Sequence, residues 1–320
     1  MAIINKLLKP ISQTELIIPQ PSATGNAPVP TATLVQNSIA NNTQVPTAGN
    51  LAMKPVFHEP VSEKHVTEKT VTSESPTVAS YFASKGFALW VDTKNANVAP
   101  VEPLAILLAI NHNSCKFFLK YIRENICKKN FHINYCVAKI PEDAKNAIVG
   151  LAEKFGEYGI ISNLYYNRAT EVITGTLSSA GRVVNFLNGD YLEFFGRAVA
   201  QKVIKESAAK YGTDYEIYGN VNISKDNEKH ELDMVFRVGG HIFWSEIKSG
   251  KFFDFDAYRK LGCKIGLNPD RHILLSAETK DEAADVISWF YEFYVANITS
   301  FKDKLTDMIG NAFKGGTNNE

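Results

Sequence analysis

Cysteine is scarce. The four residues, Cys115, Cys127, Cys136 and Cys263, are too widely spaced for a disulfide framework or a CxxC metal knuckle. A reduced, cytoplasmic compartment is the simpler reading. Net charge is lacking too: 34 acidic side chains face 34 basic ones, which excludes a polybasic or histone-like protein. Long hydrophobic runs are absent, the longest being Pro103–Ile110 with Val101 just before it, less than half a bilayer span. Met1–Ile11 carries Lys6 and Lys9 inside its apolar run and no small-residue cleavage site follows, so no secretory signal and no membrane partner are expected. Aromatics are missing from the first eighty residues apart from Phe57, while nine of the thirteen prolines lie there.

That stretch shows neither a period of 3.6 nor a sustained period of 2, and cannot bury enough apolar surface to offset backbone ordering at about 1–2 kcal/mol per residue. Residues 1–77 are therefore expected to be a disordered tail. Its short amphipathic piece, Ile3–Ile11, reads as a frayed terminus rather than a docking motif. The rest is globular in composition, 45% of the whole chain being hydrophobic and 11% aromatic.

Residues 78–184 suggest a small α/β domain. Phe87–Val91 reads as a buried strand, and Pro100–Pro103 opens a helical pattern running through Lys128. Phe131–Val137 alternates like a strand, and Pro141-Glu142-Asp143 is a good first turn for a helix through Phe155. Asp92 sits at a strand's carboxyl end, where open α/β sheets place their sites, but a lone acid is more often a turn residue. This half does not reveal a function.

The informative half is 185–320. Asp190 followed three residues later by Glu193, with Leu192, Phe195 and Val199 on one face, reads as a helix start with a capping box, which gives Glu193 a structural role to set against a catalytic one. Further on, two β-rich runs, Glu231–Val238 and His241–Lys248, flank Gly239-Gly240, a strong hairpin signal. A two-residue loop makes Val238 face His241, so Asp233 faces Glu246 and Glu231 faces Lys248. All four share one face with Val235 and Trp244, while Leu232, Met234, Phe236, Phe243 and Ile247 form an apolar second face. Opposed Cβ atoms lie about 4.5–5.5 Å apart, so backbone geometry holds the two carboxylates together. Like charges so placed raise a carboxyl pKa unless a cation sits between them. Asp233 and Glu246 offer hard oxygen ligands with no nearby Cys/His set, which favours Mg²⁺ or Mn²⁺ over zinc. The alternative is a solvated face with Glu231–Lys248 as an ordinary ion pair.

Between Lys248 and His272 six basic residues stand against three acids. Lys251, Arg259, Lys260 and Lys264 are candidate phosphate contacts, interleaved with Phe252, Phe253, Phe255 and Tyr258 that could stack on the bases of a single strand. Downstream, Arg271–Ser276 reads as a core strand. Thr279-Lys280-Asp281-Glu282 opens a helix rich in Trp289, Phe290, Tyr291, Phe293 and Tyr294, a stripe suited to core packing or a dimer face.

Asp233 with Glu246-Ile247-Lys248 on the next strand resembles the signature of the PD-(D/E)xK nuclease superfamily, Glu193 matching the acid often found on its first core helix. The wording Phe186–Glu193 is similar to that in nuclease domains of CRISPR-ancillary proteins fused to a cyclic-oligoadenylate sensor (CARF) domain. The resemblance covers about Asn185–Phe290. It implies a restriction-endonuclease-like mixed sheet flanked by helices and a metal-dependent endonuclease acting on DNA or RNA, in anti-phage or CRISPR-associated defence. Asp233 and Glu246 would be metal ligands, Glu193 an auxiliary ligand or water-holder, and Lys248 the nucleophile-orienting base or electrostatic stabiliser. With the aromatic C-terminal stripe, it also points to a homodimer. Two positions depart from the pattern: Leu232 stands where the family name has Pro, and no ligand loop can be matched before Asn185, which makes a cyclic-nucleotide effector doubtful. The competing reading is a catalytically silent nuclease-fold module that binds nucleic acid or a protein partner.

Overall fold

Two sheets organise the described residues, and their order along the sequence decides where the candidate site sits. The structure, a computed structural model, describes residues 76–91, 101–250 and 254–315. The predicted tail up to Ser75, including Ile3–Ile11, lies outside the described residues, as do Asp92, Lys251, Phe252 and Phe253.

Thr77 caps the first helix, α1 (Val78–Ser84), by accepting a 3.0 Å hydrogen bond from the Ser80 N–H. The strand β1 (Ala88–Val91) follows. The single helix expected up to Lys128 is two helices, α2 (Glu102–Ile110) and α3 (His112–Cys127). The break falls at Asn111, whose side-chain amide donates to the Leu107 carbonyl at 2.9 Å and so competes with the helical ladder. Then come β2 (His132–Cys136), α4 (Glu142–Glu157) with Glu142 and Asp143 in its first turn, β3 (Ile161–Asn167) and β4 (Val172–Leu177). These three strands form an antiparallel sheet in the order β2-β4-β3. Ile133 and Val137 are buried, as their alternation predicts.

A short helix, α5 (Gly181–Asn185), passes through a π-helical turn, Phe186–Asp190, into the long α6 (Tyr191–Tyr211). After it come β5 (Tyr215–Lys225), β6 (Glu228–Val238), β7 (His241–Lys248), α7 (Phe255–Ile265), β8 (His272–Ser276), α8 (Asp281–Tyr291), β9 (Tyr294–Ala296) and α9 (Phe301–Gly315). The polar stretch Ser224–Lys229, whose composition suggests a loop, is mostly strand. Only Asp226 and Asn227 turn, both with positive φ, the conformation a tight hairpin requires. The helix opened by Asp281 stops at Glu292 in a left-handed conformation, so Phe293 and Tyr294 leave it and Tyr294 begins β9.

The second sheet is six-stranded, in the order β1-β5-β6-β7-β8-β9. Its β1 to β7 neighbours pair antiparallel, and β8 and β9 add parallel. Helices flank it, giving the mixed α/β architecture expected. One assignment is corrected: β1, grouped by sequence with the small α/β layer, pairs with β5 instead. Leu89 and Val91 pack there against the cluster of Val221 and Ile223, apolar surface that the small sheet does not offer them.

The main core joins α6 (Leu192, Phe195, Val203), the sheet face of Met234, Phe236, Phe243 and Ile247, and α9 (Leu305, Met308, Ile309). A second cluster lies on the other face, with Phe82, Val221, Leu232, Val235, Trp244 and Ile265. Leu232 is therefore not on the face predicted for it. Between the pairs Gly219–Met234 and Val221–Leu232 the register skips Asn220 and Asp233, and Asn220 adopts φ +51°. That kink turns Leu232 and Val221 to the Trp244 side.

Candidate active site

The hairpin register follows the count from Gly239-Gly240, with Val238 opposite His241 and Met234 opposite Ser245. One step further the ladder stops. The carboxylate of Asp233 takes over, its Oδ2 accepting the Ile247 N–H at 2.7 Å. Lys248 Nζ lies 2.6 Å from Glu246 Oε1 and 3.4 Å from Asp233 Oδ2, bridging the two acids. The other oxygen of Glu246 accepts from Trp244 Nε1 at 3.2 Å. Asp233, Glu246 and Lys248 are thus brought together. Glu231 is not: it pairs with Asn222 on β5 and is exposed, and the expected Glu231–Lys248 contact does not form, the β6–β7 ladder ending at Met234–Ser245 and Lys248 engaging the other two carboxylates.

Burial sets the electrostatics. Glu246 is 7% exposed. Burial, reinforced by the Asp233 charge, raises its pKa to about 7 despite the lysine beside it. Burial alone would lower Lys248, but Asp233 and Glu246 outweigh it and hold the ammonium above its usual range. Tyr258 of α7 closes one side, its ring centroid 5.9 Å from Lys248 Nζ.

Glu193 arrives from α6. Its structural alternative, a capping box, does not form: Asp190 has helical dihedrals and makes no side-chain capping bond, because the π-helical turn already leads the chain into the helix. Glu193 is free to face the sheet. Burial, then Asp233, then Asp190 raise its pKa to about 7, and Asp190 is itself raised by burial. The helix approaches closely because Gly196 has no side chain, and a Cβ there would lie 2.7 Å from Ile247 Cδ1. Its start is anchored by Tyr191, whose hydroxyl shares a 2.9 Å hydrogen bond with His112 Nδ1, and by Arg123 Nε, which donates to the Leu187 carbonyl at 2.8 Å. A polar cleft of about 290 Å³ opens beside Glu193 and Lys248, lined also by Asn188, Asp190 and Ser249.

Two residues at this centre carry no motif in the sequence. Arg197, one turn after Glu193, is half-buried between helix and sheet and donates to Asn220 Oδ1 at 3.1 Å. Burial lowers its pKa, opposed by Glu193 and Asp233. Its guanidinium lies over Gly219, where a Cβ would come within 2.5 Å of it. The i, i+4 spacing from Glu193 was the available signal. Asn220 had none, since its importance lies in its φ.

The candidate phosphate contacts diverge. Arg259 pairs with Glu292 at 3.0 Å, Lys264 pairs with Glu228, Lys260 lines a cavity beside α7, and Lys251 lies outside the described residues. For a metal, the donor chemistry fits a hard divalent ion: two carboxylates converge on one point, held at present by the Lys248 ammonium. Among the described residues no group of three or more His, Cys, Asp and Glu side chains is placed to hold a metal as they stand. An ion there would draw at least two carboxylates from the chain and its remaining ligands chiefly from water and phosphate, the habit of Mg²⁺.

No family model matches the sequence, and no curated protein does. Solved structures match the fold. The protein VC1899 from Vibrio cholerae aligns with a TM-score of 0.50 and 16% identity over 74% of this chain and 61% of its own. Can2 from Sulfobacillus thermosulfidooxidans, solved in complex with cyclic tetra-adenylate, aligns with a TM-score of 0.51 and 16% identity over 73% of this chain and 60% of its own. The chain spans about three fifths of the length of these two. At this identity the likeness is one of fold. Among the described residues no helix is long and apolar enough to cross a membrane.

Proposed function

We propose that the protein is a metal-dependent endonuclease that hydrolyses phosphodiester bonds in DNA or RNA. The observation that carries this reading is the convergence of Asp233 and Glu246 on Lys248 at the end of the hairpin ladder, with Glu193 coupled to them from α6. Asp233, Glu246 and, as an auxiliary, Glu193 would hold Mg²⁺ or Mn²⁺, which when bound supplies charge stabilisation at the scissile phosphate and acidifies a water. Lys248, whose pKa Asp233 and Glu246 hold up, would place positive charge beside the attacked phosphate and orient the nucleophile. Glu193, with a pKa near neutrality, is suited to take a proton from a water in the polar cleft. Arg197 and Asn220 hold the kink that aims Asp233. The resemblance of Phe186–Glu193 to the nuclease domains of CRISPR-ancillary proteins, on a fold like that of Can2 solved with cyclic tetra-adenylate, supports a place among CRISPR-associated, anti-phage nucleases.

Cleavage of a panel of single- and double-stranded DNA and RNA should require divalent metal, and Asp233→Ala and Lys248→Ala should reduce it about a thousandfold or more. Undiminished cleavage in either variant sinks the reading. A silent, nucleic-acid-binding module is the second reading, favoured by the lysine that already bridges both acids where an ion would sit. Failure of Mn²⁺ to bind, with nucleic-acid affinity retained, would establish it.

The same reading includes a homodimer. On α8, Val286, Trp289 and Phe290 form one exposed apolar stripe, Trp289 at 82% exposure. Sedimentation of Trp289→Ser with Phe290→Ser should show monomer where the parent is a dimer; an unchanged mass removes this face from the proposal.

A further inference from the structure

The candidate site is flanked by two concavities of opposite character. On the α6 side lies the polar cleft of about 290 Å³. On the α7 side lies a cavity of about 350 Å³ whose lining is mostly apolar, with Ala257, Tyr258 and Leu261 as its wall and Lys260, Lys264 and His230 at its rim. Lys248 lines the first, and Tyr258, whose ring lies 5.9 Å from Lys248 Nζ, lines the second. Tyr258 therefore stands between the α7 hollow and the lysine that bridges Asp233 and Glu246.

We propose that the α7 cavity is a base-binding subsite for single-stranded nucleic acid, taking the nucleotide next to the phosphodiester held at Lys248; this rests on the nuclease reading above. Its volume is that of a small-molecule pocket, about 300–1,000 Å³. An apolar slot with a cationic rim fits a flat base joined to an anionic backbone better than it fits phosphate alone. The rim chemistry agrees. Lys260 is exposed, His230 Nε2 makes no hydrogen bond and lies 3.6 Å from Glu228 Oε2, and the one acid of the lining, Asp254, is engaged as the helix cap of α7, accepting from the Ala257 N–H at 3.1 Å. Lys264 is shared with Glu228, which leaves Lys260 as the main phosphate contact. A duplex keeps its bases paired and stacked, and can fill the slot only by flipping one out, so single strands are preferred.

The test is a binding experiment that needs no turnover. Labelled oligonucleotides of one sequence, as single-stranded DNA, single-stranded RNA and duplex, are titrated by fluorescence anisotropy with chelator present. Ala257 is exposed and outside the catalytic cluster, so Ala257→Phe fills the slot from its rim. The expectation is tighter binding of a single strand than of duplex, and a loss of about tenfold in Ala257→Phe. One abasic position walked along the strand should reproduce that loss in the parent at a single register and add nothing in Ala257→Phe. Lys260→Ala, a surface change that leaves the fold intact, should lower the salt slope of binding by about one. Equal single-strand affinity in parent and Ala257→Phe, an abasic effect that persists in Ala257→Phe, or no single-strand binding at all overturns the subsite. The expected pattern without metal-dependent cleavage would support the subsite while removing the nuclease; cleavage without the pattern would do the reverse.

Discussion

Both ends of the β6–β7 hairpin place a cation between two carboxylates, with opposite consequences. At the turn end Arg237, almost wholly buried, donates to both oxygens of Asp214 at 2.9 and 2.7 Å, to Glu216 at 3.2 Å and to the Gly239 carbonyl at 2.8 Å. Those bonds lower the pKa of Asp214. At the other end the cation is a lysine with two carboxylate contacts, the acids are more buried, and Glu246 is raised to about 7. A planar fork saturated by partners makes a structural clamp, whereas an under-coordinated ammonium between buried acids leaves charge that another cation can use.

The largest expected effect separates the two ends by activity. Glu246→Gln keeps an oxygen for Trp244 Nε1 but removes the charge, so metal-dependent cleavage should fall about a thousandfold while the melting temperature holds or rises. A large loss of stability instead would make Glu246 a clamp like Asp214. Arg237→Met should do the opposite, costing roughly 2–4 kcal/mol in urea unfolding with no change in metal dependence, because Glu216 and the Gly239 carbonyl lose their donor.

The pKa contrast can be read directly. A carboxyl whose folded pKa is raised contributes stability fully present below its unfolded pKa and lost as pH rises through the folded value. Without metal, Glu246→Gln should therefore match the parent near pH 4 and exceed it by on the order of 2 kcal/mol above pH 7. The buried histidines His112 and His272, held below their usual range, cancel in that difference. Asp214 has the reverse sign, its stabilisation present at neutral pH and lost in acid. A parent and variant that stay parallel from pH 4 to 8 would remove the distinction.

The smallest effect probes what aims the site end. Gly219→Ala sets a Cβ against the Arg197 guanidinium and should cost about 1–3 kcal/mol, lowering cleavage more than metal affinity. Unchanged stability would mean that Arg197 has room to move and does not fix the kink.

Much of this was legible because it is local. Gly239-Gly240 sets a register that can be counted to Met234–Ser245, and the count brings Asp233 beside Glu246 before any fold is known. Four features were not legible, each for a physical reason. The face of Leu232 depends on the positive φ of Asn220, which no residue pattern announces. Glu193 lost its apparent cap to a π-helical turn, a backbone choice made by packing. Arg197 matters through a contact with β5, more than twenty residues on. The partner of β1 lies farther still.

That last pairing has a practical side. Val91 meets Val221 across more than a hundred intervening residues that build α2 to α6 and the small sheet. The chain starts the large sheet, leaves it, and returns to complete it, so closure of its edge is a late and entropically slow event. A fragment cut to begin at Asn185 would retain Glu193, Asp233, Glu246 and Lys248 and still expose β5 as a raw edge, inviting copies to pair strand to strand. For anyone expressing the second half alone, Ala88–Val91 is the piece to keep, and its omission is the first place to look when the product precipitates.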